Sequence, residues 1–320
     1  MKQRLLIGVD GGGTKTELAL AEQNGTVLHR LVLGPCNPND IGLERACAVL
    51  AEGSGSLLAK RGIDASEIGA LFAGVSGAGV GNYRHALGDF LTARFPQAAV
   101  RCDTDGANAL SSGLGMGPGV AVISGTGSAL FARTDRRVHR VGGWGYLFDQ
   151  AGSGYDLGRE AMRAALAAVD GIGPKTKLTE LVEQALGATA WEALGEVYSR
   201  GKRYIASLSY CVFDAYDQGD PIARRILADS ASHLAELILA CVRLYGCGND
   251  VVLCGGLFAR GGVLAPMLQR ALPGGFRLLL PRLPQIYGAV VQAADLCGIE
   301  AGPGFEERFA QNYCNEETRK

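Results

Sequence analysis

Apolar residues repeat along this chain with two different periods, and each period predicts a different kind of element. Short apolar or alternating runs predict strands, because successive side chains of a strand point to opposite faces of a sheet. These runs lie at residues 4–9, 16–21, 27–33, 70–75, 98–102, 119–124, 129–133, 251–254 and 277–280. Apolar residues that return every three or four positions predict helices, which lie at 41–60, 82–94, 221–246 and 284–297. The polar segment beyond Gly302 is expected to be loosely ordered.

The pattern of the first strands returns in the middle of the chain. Residues 4–21 consist of an apolar strand, a turn of glycine and hydroxyl residues, and a returning strand; residues 119–133 repeat this layout with other residues. In addition, 320 residues are more than one hydrophobic core usually supports. We therefore predict an α/β protein with a duplicated domain, divided into an N-terminal part at 1–118 and a C-terminal part at 119–283.

Composition and charge narrow the class of protein. The formal net charge is −1, so the chain lacks the basic surface that nucleic acid or an anionic membrane would favour. The apolar stretch at 234–244 is interrupted by Glu236 and Arg243, which argues against a membrane span. The nine cysteines are scattered singly, which is typical of reduced thiols in a cytosolic protein. We expect a cytoplasmic protein that binds neither nucleic acid nor membranes.

Three glycines between an aspartate and a Thr-Lys pair form the first candidate site. The residues of this first turn are Asp10, Gly11, Gly12, Gly13, Thr14 and Lys15. Glycines allow successive N–H groups to point at one anion, and Thr14 and Lys15 add a hydroxyl and a positive charge. Asp10 could hold a magnesium ion through water. A plain glycine hairpin is the alternative, but its polar flanks favour phosphate binding. The spacing fits neither the P-loop nor GxGxxG.

A second turn of glycine and hydroxyl residues follows the strand at 119–124. Its residues are Ser124, Gly125, Thr126, Gly127 and Ser128. Its hydroxyls and amides could hold the far side of the same phosphates; the turn alone is weak evidence, but its place in the repeat matches that of the first turn. A later strand ends in Gly255 and Gly256, which, with Gly288 further on, could let adenine or ribose approach the backbone.

Two further groups of residues also follow predicted strands. Asp103 and Asp105 come after the strand at 98–102, where a carboxylate could accept a proton from a substrate hydroxyl; a solvated turn is the alternative. Gly143 and Trp144 precede a polar loop at 149–153 whose groups could bind sugar hydroxyls. A loop around a core tryptophan is the alternative for that segment.

Taken together, these motifs resemble the family of N-acetylglucosamine kinases and BadF/BadG/BcrA/BcrD-type ATPases, which belongs to the larger group of actin, sugar kinases and heat-shock chaperones. The resemblance covers residues 4 to about 298, with the motifs in the expected order. It implies a two-lobed, actin-like ATPase fold of duplicated ribonuclease H-like domains, each with a mixed five-stranded sheet, closing on ATP and Mg²⁺. A helix at about 284–300 that packs back on the N-terminal domain and a homodimer are also expected.

The resemblance implies a role for each motif. The first turn is the first phosphate loop, with Asp10 as the magnesium residue, residues 125–127 are the second loop, and Gly255-Gly256 is the adenosine motif. Asp105 is the base toward the 6-hydroxyl of an amino sugar. The sugar-binding residues are Asn37, Asp105, Ser128, Gly143, Trp144, Asp149, Gln150 and Ser153.

One departure from the family pattern bears on the substrate. Family members commonly have Gly-Asp-Glu-Gly-Ser where this chain has Asp149-Gln150-Ala151-Gly152-Ser153. Counting forward from Trp144, Gln150 occupies the acidic position, so either Asp149 or Gln150 contacts the sugar. The acceptor therefore stays open among N-acetylglucosamine, glucosamine and N-acetylmuramic acid.

Two other functions are compatible with such a fold. An ATPase activator of a radical dehydratase or CoA-ester reductase bridges a dimer through an iron–sulfur cluster and needs cysteines for it, whereas the second turn contains none. A regulator that binds sugar without turnover would carry a helix-turn-helix segment, and we expect none before residue 4. The prediction is therefore an ATP- and Mg²⁺-dependent amino-sugar kinase.

Overall fold

The computed structural model of the protein describes residues 4–149, 151–260 and 262–317. The chain divides into two compact units. Unit 1 consists of the residues up to Pro118 together with those from Pro281 onward, and unit 2 consists of Gly119–Leu280. The chain therefore returns to the first unit after completing the second.

The elements are numbered in chain order. Up to Pro118 they are β1 (Leu5–Gly11), β2 (Thr16–Ala21), β3 (Val27–Leu33), α1 (Pro38–Ile41), α2 (Leu43–Ala59), a 3₁₀ turn (Ala65–Glu67), β4 (Ile68–Val75), α3 (Tyr83–Arg94), β5 (Ala99–Asp103) and α4 (Asp105–Leu114). Unit 2 contains β6 (Gly119–Ser124), β7 (Ser128–Thr134), β8 (Arg137–Val141), α5 (Gly154–Val169), α6 (Lys177–Leu186), α7 (Leu194–Ser207), α8 (Ser209–Asp217), α9 (Pro221–Tyr245), β9 (Asp250–Cys254), α10 (Gly256–Ala259), α11 (Leu264–Ala271) and β10 (Arg277–Leu279). The chain closes with α12 (Gln285–Leu296) and α13 (Pro303–Glu317).

The two units have the same sheet topology. In unit 1 the strand order is β3-β2-β1-β4-β5; β2 pairs antiparallel with both β3 and β1, whereas β4 pairs in parallel with both β1 and β5. In unit 2 the strand order is β10-β9-β6-β7-β8, which gives the same arrangement when read from β8. Here β7 pairs antiparallel with both β8 and β6, whereas β9 pairs in parallel with both β6 and β10. The duplicated layout that the sequence predicts is therefore confirmed.

Each unit has its own hydrophobic core. β4 is buried along its whole length, as expected for a central parallel strand covered on both faces, and its sequence IGALFAGV is accordingly almost entirely apolar. In unit 2, α5 and α9 pack against each other and α9 also packs on β6 and β7. No helix in the described part of the chain is long and apolar enough to cross a membrane.

The C-terminal segment differs from the prediction. The residues beyond Gly302 form α13, and the side chains of Phe305 and Phe309 on it are buried. The ring of Phe309 meets that of Tyr287 on α12 with centroids 5.0 Å apart, and Tyr313 Oη donates a hydrogen bond to Glu17 Oε1 at 2.8 Å. The prediction of a loosely ordered tail was wrong because two phenylalanines four positions apart supply one apolar helix face.

Helix α12 crosses α4 at very short range. A Cβ on Gly288 would lie 1.9 Å from the carbonyl oxygen of Asn108 and 2.7 Å from the backbone nitrogen of Ser112. Close by, Gln292 Nε2 donates to Ser111 Oγ at 2.9 Å. Gly288 is therefore required by helix packing within unit 1, which replaces the nucleotide contact suggested for it by the sequence.

The cysteines whose side chains are described make no disulfides. Burial raises the pKa of the thiols of Cys36, Cys102 and Cys241 to about 12 in each case. A thiol with so high a pKa carries almost no thiolate near neutral pH and is a poor nucleophile. These three residues therefore act as small core residues.

Candidate functional site

The first turn is held in shape from both sides. The N–H of Gly12 donates to the carbonyl of Lys15 at 2.8 Å, and a Cβ on Gly12 would lie 2.9 Å from that same oxygen. The carbonyl of Gly12 accepts from the N–H of Cys36 at 3.0 Å, and that of Gly11 accepts from the N–H of Ser76 at 2.7 Å. The segments before α1 and after β4 thus fix the turn, and position 12 needs glycine.

The residues of the first turn differ in their exposure to solvent. Gly13 is half-buried and Thr14 is exposed. The Lys15 side chain is 63% exposed, and its ammonium lies 3.6 Å from the buried carboxylate of Glu17, which Arg30 also approaches at 3.2 Å. Lys15 is therefore partly neutralised by a carboxylate of its own hairpin.

Asp10 lies near the end of β1 and is held by a side chain from α4. Asn108 Nδ2 donates to Asp10 Oδ1 at 2.8 Å and also approaches the carbonyls of Val9 at 3.2 Å and Gly74 at 3.3 Å. Burial raises the pKa of Asp10 to about 7; the hydrogen bond from Asn108 opposes this shift, and the nearby carboxylate of Asp105 adds to it. The charges of Asp10 and Asp105 therefore interact at this end of the sheet.

Asp105 is the first residue of α4, two residues beyond β5. Its carboxylate accepts hydrogen bonds from the Ser76 hydroxyl and from the backbone N–H groups of Gly106 and of Asp105 itself. Burial raises its pKa to about 6, and these three hydrogen bonds limit the rise. A carboxylate with a pKa just below neutrality is suited to general base catalysis. Ser76, which the sequence analysis missed, carries a local signal only as a hydroxyl directly after a buried strand.

The neighbouring Asp103 is engaged in a structural network. Its carboxylate lies 3.2 Å from Arg101 Nη2 and 3.6 Å from Arg84 Nη1, and it accepts the N–H of Thr104 at 2.8 Å. The side chain of Asp103 is buried. Of the two aspartates after β5, Asp105 is thus the one whose charge acts on Asp10.

Asn37 lies beside the first turn as the N-cap of α1. Its Oδ1 accepts from the N–H of Asn39 at 3.0 Å, and Asn39 Nδ2 donates to the carbonyl of Gly77 at 3.2 Å. A Cβ built on Gly13 would lie 3.9 Å from Asn37 Nδ2 and 3.3 Å from Asp40 Oδ2. The Asn37 amide nitrogen donates to none of the described residues. Unit 1 therefore brings together Asp10, the first turn, Asn37 and Asp105, and Asp40 joins them as a residue not predicted from sequence.

In unit 2, the second turn rests on the beginning of α5. The carbonyls of Gly125 and Thr126 accept from the N–H groups of Gly154 at 2.7 Å and Tyr155 at 3.1 Å. The N–H of Gly125 donates to the carbonyl of Gly127 at 2.9 Å. Thr126 and Gly127 are exposed, and Ser128, the first residue of β7, is half-buried. The turn thus presents its tip to solvent.

The end of β9 meets the same turn. Gly255 has φ +100°, and a Cβ there would lie 2.1 Å from the carbonyl oxygen of Ser124. Gly256 begins α10, and a Cβ there would have no heavy atom within 4 Å. The structure therefore places Gly255-Gly256 directly beside the second turn, with an open side at Gly256.

The loop that contains Trp144 is organised by Asp149. The Asp149 carboxylate accepts the N–H groups of Trp144 at 3.1 Å and Gly145 at 2.9 Å. The indole of Trp144 is 61% exposed, and the Arg140 guanidinium lies 4.4 Å from its ring centre. The alternative of a core tryptophan is therefore wrong. A Cβ on Gly143 would lie 2.6 Å from Ala129, which places this end of the loop against β7.

The other residues predicted from this loop are differently placed. Ser153 is buried as the N-cap of α5, where its hydroxyl donates to the Asp156 carboxylate and accepts the N–H of Asp156 at 3.2 Å. Gln150 lies outside the described residues. The polar groups of Asp149 and Ser153 are thus both engaged within the loop and the helix cap, and their assignment to the sugar stays a prediction.

The residues around Asp10 fit a magnesium ion. Mg²⁺ is usually bound through one or two carboxylates together with waters and substrate phosphates. Asp10 supplies a partly buried carboxylate beside the first turn, and burial raises its pKa to about 7, so a cation next to it would favour its charged form. Among the described residues no cluster of three or more His, Cys, Asp or Glu side chains could hold a metal by itself, so phosphate and water would have to complete the shell.

Replacing the Asp10 carboxylate should stabilise the protein without its ligands. The pKa of Asp10 is about 7 in the folded chain against about 3.9 for an unperturbed aspartate, so folding opposes its ionisation and this cost grows as pH rises from 4 to 7. We expect Asp10→Asn to raise Tm by about 2–4 °C at pH 7.5, without nucleotide or Mg²⁺, and by less at pH 4.5. Thermal scans of Asp89→Asn, an exposed aspartate of α3 outside this site, should match the wild type. A lower Tm for Asp10→Asn at pH 7.5 would contradict the electrostatic explanation.

Comparison with known proteins gives consistent matches. Residues 7–291 match the model of the BadF/BadG/BcrA/BcrD ATPase family. The chain is 34% identical over 265 residues to an N-acetylmuramic acid/N-acetylglucosamine kinase of Clostridium acetobutylicum. The aligned region covers 82% of this chain and 86% of that protein. It is 31% identical over 291 residues to an N-acetyl-D-glucosamine kinase of Dictyostelium discoideum, covering 85% and 91%.

A solved structure from Chromobacterium violaceum, described as a candidate N-acetylglucosamine kinase, superposes with a TM-score of 0.70 and 30% identity and covers 92% of this chain and all of that one. This match confirms the predicted α/β fold of the actin-like sugar kinases. The shared fold, the matched residues and the identity to these relatives lead to one assignment. The chain belongs to the BadF/BadG/BcrA/BcrD ATPase family.

Proposed function

We propose that this protein is an ATP-dependent kinase that phosphorylates an amino sugar, with N-acetylglucosamine as the leading acceptor, at the 6-hydroxyl. The observation that carries the proposal is the position of Asp105: a partly buried carboxylate with a pKa of about 6 lies beside Asp10 and the glycine turn. One of the two relatives is named as a kinase of N-acetylmuramic acid and N-acetylglucosamine, and the other as a kinase of N-acetyl-D-glucosamine. Both names support an amino sugar as the acceptor.

In the proposed reaction Asp105 accepts the proton of the sugar hydroxyl as the phosphoryl group is transferred. The hydrogen bond from Ser76 and the two backbone N–H groups at the start of α4 hold the carboxylate in one orientation. Phosphoryl transfer otherwise requires positioning and neutralisation of charge. The amides of each glycine turn would neutralise phosphate charge, and bound Mg²⁺, held through water by Asp10, would supply further positive charge to the phosphates.

Recognition of the sugar is proposed to start from Asn37. Its amide nitrogen is free of partners among the described residues, so it can donate to a sugar hydroxyl. In the loop of unit 2, Asp149 already accepts two backbone N–H groups. A carboxylate can accept further hydrogen bonds, so either Asp149 or Gln150 is proposed as the loop residue that contacts the sugar, and Ser128, Gly143, Trp144 and Ser153 keep their predicted roles.

The ATPase activator is the less favoured function. The curated relatives named above are sugar kinases, and no observation on the described residues favours an iron–sulfur cluster. A cytoplasmic location, where ATP is available, belongs to the proposal. That the chain forms a homodimer stays a prediction.

A coupled ADP-release assay tests the proposed function. The acceptors would be N-acetylglucosamine, glucosamine, N-acetylmuramic acid, N-acetylmannosamine and glucose, each with ATP and Mg²⁺. We expect release of ADP that depends on the sugar, with a higher kcat/KM for at least one amino sugar than for glucose. ADP release at the same rate without any sugar would indicate a plain ATPase and would refute the kinase.

A further inference from the structure

A lysine from α7 lies against the tip of the second turn. Lys202 Nζ is 3.8 Å from the position that a Cβ on Gly127 would occupy. The helix is interrupted at Gly201, with φ +66° and ψ −153°, so Lys202 begins the second part of α7 in a new direction. Its ammonium also lies 5.7 Å from the ring centre of Tyr146. Nothing in the sequence spacing connects residue 202 with a turn some 75 positions earlier, which is why sequence analysis passed it over.

No carboxylate that the structure describes neutralises this ammonium. Lys202 is exposed and forms no ion pair with a carboxylate of the described residues. Lys15, the lysine of the first turn, differs because it lies 3.6 Å from Glu17. Lys202 therefore places a positive charge, unpaired among the described residues, next to a glycine turn, whereas the charge of Lys15 is partly neutralised by the Glu17 carboxylate.

The turn beside Lys202 has free donors as well. Within the described chain, the backbone N–H groups of Thr126 and Gly127 make no hydrogen bond, although the turn's carbonyls are bonded to the start of α5. Both residues are exposed. Adjacent free N–H groups form a concave site for an anion, and a lysine ammonium is a common partner for phosphate as a compact point charge.

We propose that Lys202 binds the terminal phosphates of the nucleotide at the second turn, together with the N–H groups of Thr126 and Gly127. The ligand class is a nucleoside di- or triphosphate. A nucleoside monophosphate bound at the adenosine motif, Gly255-Gly256, has no further phosphate that could contact the Lys202 ammonium. The inference rests on the proposed function only in taking ATP as the nucleotide; it does not depend on which acceptor is used.

Equilibrium titrations with AMP-PNP, ADP and AMP test whether Lys202 binds the terminal phosphates. We expect Lys202→Met to weaken the binding of AMP-PNP by about 10- to 100-fold, the range for loss of one hydrogen bond to a charged group, and that of ADP by less. The affinity for AMP should change by less than about twofold, because AMP has no β- or γ-phosphate that could contact Lys202. Lys202→Arg should recover most of the AMP-PNP affinity, and Lys175→Met, an exposed lysine elsewhere in unit 2, should match the wild type.

The outcomes are distinct. Unchanged binding of AMP-PNP in Lys202→Met, or failure of the wild type to bind AMP-PNP, would overturn the proposal, as would equal losses for AMP and AMP-PNP with an unchanged Tm. If Lys202→Met itself proves unfolded, Lys202→Gln takes its place in the same titrations. A wild type that binds AMP-PNP through Lys202 but phosphorylates no sugar would refute the proposed kinase function and leave this inference intact.

Discussion

Asp105→Asn is expected to lower kcat by about 10²- to 10⁴-fold, the usual contribution of a general base. An amide has nearly the same shape as the carboxylate and keeps one acceptor oxygen for the hydrogen bonds of Ser76 and the α4 N–H groups, but it cannot take the proton of the sugar hydroxyl. The affinity for AMP-PNP should stay within about twofold, because the base does not bind the nucleotide. Steady-state ADP release and equilibrium titration measure the two quantities.

The matched control is Asp89→Asn, which alters an exposed aspartate of α3 in the same unit. It should leave both quantities at the wild-type values. A kcat for Asp105→Asn within tenfold of the wild type would contradict the assignment of Asp105 as the base. A large loss of AMP-PNP affinity would instead show that the carboxylate serves the nucleotide or its metal.

Gly288→Ala is expected to destabilise unit 1 by about 3 kcal/mol, at the upper end of the usual cost of overpacking. The added methyl group would meet backbone atoms of α4, the carbonyl of Asn108 at 1.9 Å and the nitrogen of Ser112 at 2.7 Å, which cannot turn away as a side chain can. The crossing of α12 and α4 would have to open. Because α4 carries Asp105 and Asn108, kcat should fall together with stability.

Denaturant unfolding of Gly288→Ala and Gly195→Ala provides the comparison. Both glycines lie in helices, but a Cβ on Gly195 would have no heavy atom within 4 Å. Alanine there should be neutral or stabilising by up to about 1 kcal/mol, the difference in helix propensity. Equal unfolding midpoints for the two variants would show that the helices can move apart at little cost.

Much of the fold follows from apolar patterning alone. The strand predicted at 70–75 is β4 (Ile68–Val75), and the helix predicted at 284–297 is α12 (Gln285–Leu296). Helix α4 is different, since its sequence DGANALSSGL contains two glycines, an asparagine and two serines, all weak helix formers. It forms because packing against α12 and the bonds made by Asn108 outweigh that weakness. Single-sequence patterns do not carry such tertiary stabilisation.

The candidate site was also predictable from the sequence only in part. The first turn and Asp105 could be predicted because each combines polar residues and glycine directly after an apolar strand. Asn108, Ser76 and Lys202 could not, since each reaches its partner from a distant part of the chain. The resemblance implied a sugar contact for Asp149 or Gln150, and the sequence does not show that the Asp149 carboxylate also accepts the N–H groups of Trp144 and Gly145. A side chain's partners decide its availability, and sequence does not show them.

Identification of the reaction product tests the central claim most directly. The protein would be incubated with ATP, Mg²⁺ and N-acetylglucosamine, and the products would be examined by mass spectrometry and ³¹P NMR. The account predicts one equivalent of ADP for each molecule of sugar monophosphate, with the phosphorus coupled to the protons on carbon 6. Consumption of ATP with inorganic phosphate as the only other phosphorus product would contradict it, as would the absence of a sugar phosphate with every amino sugar tested.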